Sequence, residues 1–101
     1  MNIRTVKEKT VSTVTKPTQV EEGWLECQVD KGMFSDELAV TYPSRGEWQK
    51  SVFVDRRAVK GDIGSVGKVR VVVLRQDGSL MAVLPSPEQD IVYVMPGDIS
   101  E

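Results

Sequence analysis

From Gly23 onward the chain alternates apolar and polar residues with a period of two, in runs too short for helices and bounded by turn-forming residues. The alternation predicts strands over residues 24–30, 37–42, 48–55, 68–75, 79–84 and 90–95. Residues 31–35 and 43–46 read as hairpin connections, since each holds glycine and lies between two alternating runs. The clearest turn is Asp77-Gly78, placed between two strongly strand-like runs. Both residue types tolerate the positive φ angles of a type I′ turn, whose twist matches the strands it joins.

Two stretches break the series. Residues 56–60 have the composition of a single helical turn, and the glycine-rich run 61–67 follows them. The first twenty residues contain no glycine and are rich in Thr, Val and Lys. Their alternation is poor, with Val6 and Val14 on one parity and Val11 on the other, so they read as an N-terminal arm or edge strand. No segment sustains helical periodicity over a dozen residues. Five to six short antiparallel strands with one irregular or one-turn helical crossing near 56–67 predict an all-β domain over residues 21–101. In architecture it resembles a small SH3-like or OB-like barrel. No family's diagnostic residues stand in the chain, so that likeness implies no function.

The length of 101 residues suits one domain with one core. With 40% hydrophobic and 28% charged residues the composition is that of an ordinary globular domain. No apolar run reaches the length of a membrane helix, so no membrane partner is expected. The N-terminus lacks the continuous apolar segment of a secretory signal. Cys27, the one cysteine, cannot form an internal disulfide; a cytoplasmic location is the resulting expectation. Its alternation with Leu25 and Val29 places the thiol on an apolar face, where it packs as a small hydrophobe.

The chemistry of catalysis is thinly represented. The absence of histidine excludes Ser-His-Asp and Cys-His machinery as well as imidazole metal sites, and a single cysteine excludes a multi-cysteine zinc site within one chain. Adjacent acids such as Glu21-Glu22 and Asp36-Glu37 point to opposite faces of a strand rather than converging. The run from Gly61 to Lys68 has five residues between the candidate glycines and Val69 after the lysine, which fails the phosphate-binding loop pattern. A strand rather than a helix follows it, so these glycines are expected to serve turns. The expectation is therefore a protein that is not an enzyme and that uses no cofactor or metal.

Charge is laid out in blocks. Net charge is +3 over residues 1–20, −5 over 21–44, +5 over 45–75 and −5 over 76–101, which together give the overall −2. The basic block interleaves cations with aromatics. Arg45, Trp48, Lys50, Arg56, Arg57, Lys68 and Arg70 are thus candidates for a single-strand nucleic-acid groove, in which cations follow phosphates and aromatic faces stack on bases. The competing use of these residues is pairing with neighbouring acidic strands and filling the core.

The last three strands are apolar on both parities. Val69, Val71 and Val73 oppose Val72 and Leu74; Leu80, Ala82 and Leu84 oppose Met81 and Val83; Ile91, Tyr93 and Met95 oppose Val92 and Val94. One core accepts only one row from each strand. The sequence therefore predicts a contact surface drawn from Val72, Leu74, Met81, Val83, Val92 and Val94, either row of which could be the outer one. A homo-oligomer or another protein is the expected partner; nucleic acid is the alternative.

Overall fold

The structure, a computed structural model, describes residues 19–101. Eight strands form one antiparallel sheet: β1 (Gln19–Lys31), β2 (Glu37–Tyr42), β3 (Lys50–Asp55), β4 (Val59–Lys60), β5 (Val66–Gln76), β6 (Ser79–Val83), β7 (Ile91–Tyr93) and β8 (Ile99–Ser100). The main order across the sheet is β3-β2-β1-β5-β6-β7, with β4 attached to β5 and β8 to β1. The predicted all-β domain of antiparallel strands is observed as a curled half-barrel. Its outermost strands, β3 and β7, pair only with β2 and β6 among the described residues.

Two long strands organise the rest. β1 and β5 pair from Gln19↔Arg75 to Gln28↔Val66. Each then serves two partners along its other edge: β1 takes β8 at Trp24–Leu25 and β2 from Gln28 onward, while β5 takes β4 near Val69 and β6 from Val72 onward. Splitting an edge in this way curls the sheet.

The alternation places Leu25, Cys27, Val29, Leu38, Val40, Val54, Val69, Val71, Val73, Ala82 and Leu84 on the concave side, where all are buried. Burying a side chain of this size contributes roughly 1.5–3 kcal/mol. Burial pushes the Cys27 thiol up to about 12, with Glu26 adding a smaller effect, so it stays protonated and inert at neutral pH.

The turns follow their local chemistry. Asp77 and Gly78 have φ of 51° and 79°, both left-handed, as a type I′ turn requires. Asp55 caps the 3₁₀ turn at Arg56–Ala58 by accepting from the Arg57 amide. Gly61 and Gly64, also at positive φ, steer the chain into β5. There the Gly64 amide donates to the Val29 carbonyl at 2.7 Å and the Val29 amide donates to the Ser65 carbonyl at 2.9 Å. These loop groups serve the protein's own backbone, in agreement with their reading as turn residues.

Several boundaries differ from the alternation pattern; β5, for one, begins at Val66 rather than Lys68 and takes Gly67 out of the expected turn into the strand opposite Cys27. β3 begins at Lys50 rather than Trp48, because residues 43–49 form a turn that the Gln49 side-chain amide closes by donating to the Pro43 carbonyl at 3.1 Å. β7 is only three residues long. β1 starts at Gln19, inside the predicted arm, because Gln19 and Val20 pair with Arg75 and Leu74. The rest of the predicted arm, residues 1–18, lies outside the described residues.

Candidate binding surfaces

Register fixes which side chains share the convex face. Directly opposed residues of an antiparallel ladder point the same way. One row therefore runs Val20, Leu74, Met81, Tyr93 across β1, β5, β6 and β7, and the next runs Glu22, Val72, Val83, Ile91. Seven of these eight residues are apolar and adjacent. Val20, Ile91 and Tyr93 are more than half exposed, Val72 is at the edge of exposure, and Leu74, Met81 and Val83 are half-buried by one another. Exposed apolar residues gathered side by side in this way are less usual than single scattered ones.

This arrangement sorts the predicted contact residues. Val72, Leu74, Met81 and Val83 are on the convex face together. Val92 and Val94 are not: Val94 is 8% exposed within the core, and Val92 packs against that core. The inward turn of these two side chains has a physical cause. The Val94 amide donates to the Leu80 carbonyl at 3.0 Å, and the Met95 amide to the Tyr42 hydroxyl at 3.1 Å. These bonds hold the segment with its even-numbered residues inward. Ile91 and Tyr93 take the outer places expected of Val92 and Val94, and Val20, from the weakly patterned start of β1, joins them.

The basic block does not gather into one groove. Lys50 bridges Asp90 at 3.1 Å, Arg57 bridges Asp55 at 2.9 Å, Arg75 bridges Glu21 at 3.3 Å, and Arg70 pairs with Glu22. Arg56 donates to the Ser35 carbonyl at 3.1 Å, and Lys68 to the Ser100 hydroxyl at 2.9 Å. Lys60 lies 4.1 Å from the Trp24 ring centre with Arg70 at 5.5 Å, so these cations cover an indole face of their own sheet. Arg45 and Trp48 sit apart, in the turn between β2 and β3. The sequence carried no sign of this dispersal for Lys50, Arg70 and Arg75, whose acid partners are distant along the chain.

The same pairing accounts for Glu21 and Glu22, which neutralise arginines instead of forming an acid-base pair. Glu37 accepts the Met33 amide at 3.1 Å in its hairpin. The hydrogen bonds of Arg57 hold the Asp55 carboxyl down at about 2. Asp90 is also held below the ordinary carboxylate range, first by the Ser86 hydroxyl at 2.7 Å and then by Lys50. Among the described residues no three His, Cys, Asp or Glu side chains converge as a metal site would require. No helix there is long and apolar enough to cross a membrane.

Two clefts lie near the outermost strands. The larger, about 640 Å³, lies between the Arg57 turn and the loop after β6, with Val72 and Val83 on its wall. The smaller, about 360 Å³, is framed by the β2–β3 turn on one side and β7 on the other, and Trp48 and Tyr93 line it. Trp48 is 89% exposed, the highest value among the large apolar side chains of the described residues.

Comparison with protein-family models, with curated proteins and with solved structures finds no match to this chain.

Proposed function

We propose that this domain is a non-catalytic assembly module that associates with a second copy of itself through the convex face of β5, β6 and β7. The supporting observation is the pair of adjacent rows described above, in which seven apolar side chains from four strands meet without an intervening charge except Glu22. A closed two-fold dimer is the commonest way for a soluble protein to cover such a surface. Val72, Leu74, Met81 and Val83 form its centre, with Val20 and Ile91 beside them. The reading has no catalytic residue, and it places the protein in the cytoplasm, in keeping with its lone buried thiol.

Nucleic acid has less support as a partner, because most of the candidate cations are paired with carboxylates or carbonyls of the same sheet. Phosphate recognition needs those charges free.

Size-exclusion chromatography with light scattering on the full chain tests the proposal. The expected result is a dimer at micromolar concentration and a folded monomer for Val83→Lys, since Val83 is on the convex face and a lysine there reaches solvent. A native chain that stays monomeric at high micromolar concentration would refute it.

A further inference from the structure

At the end of the sheet away from β7, strand β3 has an open outer edge, and the ladder decides which of its backbone groups face that edge. The Val29 amide donates to the Ser65 carbonyl and the Val29 carbonyl accepts from the Gly64 amide, so odd-numbered residues of β1 turn their N–H and C=O toward β5. Even-numbered Gln28 and Asp30 therefore face β2, where Thr41 and Ala39 oppose them. The alternation carries on across β2, so Leu38, Val40 and Tyr42 face β3 and exchange bonds with Val54, Val52 and Lys50. Ser51, Phe53 and Asp55 are left pointing outward. Among the described residues the N–H and C=O of Ser51 and Phe53 and the N–H of Asp55 have no backbone partner.

Little on this edge discourages pairing. Proline, a bulge or an inward charge ordinarily blunts an exposed strand. β3 contains no proline and pairs with β2 residue for residue, without a bulge. Its charges stand at its two ends and are already matched, Lys50 to Asp90 at 3.1 Å and Asp55 to Arg57 at 2.9 Å. Between them lie Ser51, Val52, Phe53 and Val54, with Phe53 exposed.

The strand is also its own complement. A second copy laid antiparallel about a two-fold axis at Phe53 sets Phe53 against Phe53, Val52 against Val54 and Ser51 against Asp55. The two Phe53 residues exchange a pair of N–H to C=O bonds, and each Asp55 amide donates to the Ser51 carbonyl of the other copy. Both Phe53 rings stand on the convex side, in the row of Ala39, and cover each other across the axis. A foreign peptide would have to bring its own aromatic residue and flanking valines in this register, which β3 supplies by symmetry. The other open stretches match themselves poorly. β7 is three residues long, and on β1 between Gln19 and Gly23 a second copy would oppose Glu21 to Glu21.

We infer that β3 is a second self-association surface, at which two copies pair edge to edge about Phe53 and continue one sheet across the axis. It uses none of the residues of the convex-face contact on β5, β6 and β7. A six-residue strand buries little area, so this is the weaker contact, with a Kd of roughly 0.3 mM.

The test is made on the full chain carrying Val83→Lys, so that its result does not depend on whether the convex face associates. Amide exchange with water at Phe53 and Asp55, followed by NMR, is expected to slow by about threefold between roughly 20 μM and 1 mM, as pairing of about two-thirds of the chains requires. In the same background Phe53→Cys is expected to form an interchain disulfide with oxidised glutathione about tenfold or more faster than Ser51→Cys. Cα atoms directly opposed in a bonded pair are about 5.5 Å apart, within disulfide reach, whereas the two Ser51 positions would lie roughly 13 Å apart along the strands. Cys27 is buried and stays out of the reaction. Three results would each overturn the inference: exchange at Phe53 and Asp55 that is fast at every concentration, exchange that is slow at every concentration because the chain itself covers the edge, or equal disulfide rates for the two variants.

Discussion

Replacing Gly67 with alanine tests the splitting of the β5 edge directly. Gly67 stands opposite Cys27 at the start of β5, one residue before the short β4–β5 ladder at Lys60↔Lys68 and Val59↔Val69. Its φ is not in the left-handed region, so the demand for glycine is one of space. A Cβ placed there meets the Lys60 carbonyl oxygen at a separation that real Cβ atoms do not show, and lies 2.9 Å from a Val29 methyl, where ordinary contact begins at 3.4 Å. The carbonyl belongs to backbone and cannot rotate away, and Val29 is fully buried. Relief requires β4 to move off β5. Overpacking of this kind costs roughly 1–3 kcal/mol, and each ladder hydrogen bond lost adds about 1 kcal/mol. We expect Gly67→Ala to lose about 2–4 kcal/mol, a large part of the roughly 5–15 kcal/mol by which a small domain is stable. Urea denaturation followed by circular dichroism measures it, with Gly97→Ala as control. Nothing lies within 4 Å of a Cβ at Gly97, and its φ is ordinary, so its midpoint should stay put. Coincident midpoints for the two variants would show that β4 does not pack on β5 as described.

Gly78→Val should destabilise the protein by roughly 1 kcal/mol or more, because a β-branched residue resists the φ of 79° at the β5–β6 turn; an unchanged urea midpoint would refute the turn assignment. The Asp55 carboxyl should titrate near 2 by carbon-detected NMR, since Arg57 favours its charged form. Its folded value lies below the unfolded one of about 3.9, so its stabilising effect is complete above that value and fades as pH falls through 2. Arg57→Gln should move the midpoint back toward 4, and an unmoved midpoint would show that the bidentate contact is absent in solution.

Much of the fold was legible because its signals are local. Asp77-Gly78 fixes a turn by its own backbone preferences, and the alternation of Leu25, Cys27 and Val29 or of Val69, Val71 and Val73 gives one buried row without ambiguity. Other features depend on distant residues. β4 and β8 are two residues long and exist only as partners of β5 and β1, so no periodic pattern could reveal them. In β7 both parities are apolar, and the choice is made by bonds to Leu80 and Tyr42 rather than by hydrophobicity. Trp48 looked like a strand residue by type, but the Gln49–Pro43 bond keeps it in a turn. The convex patch was visible as a surplus of apolar residues; its membership required the register.

The two long strands that organise the sheet also govern how the chain must fold. Glu21 and Arg75, joined across the β1–β5 ladder, are 54 positions apart. The hairpins β2–β3 and β5–β6 close over short loops and can form within microseconds. The central ladder must wait for a large loop to close, at an entropic cost met before its contacts form. Topologies dominated by such non-local pairing fold in milliseconds to seconds. During that interval each hairpin presents apolar rows and open edges that the finished half-barrel covers only in part, which is the exposure through which unfinished chains associate.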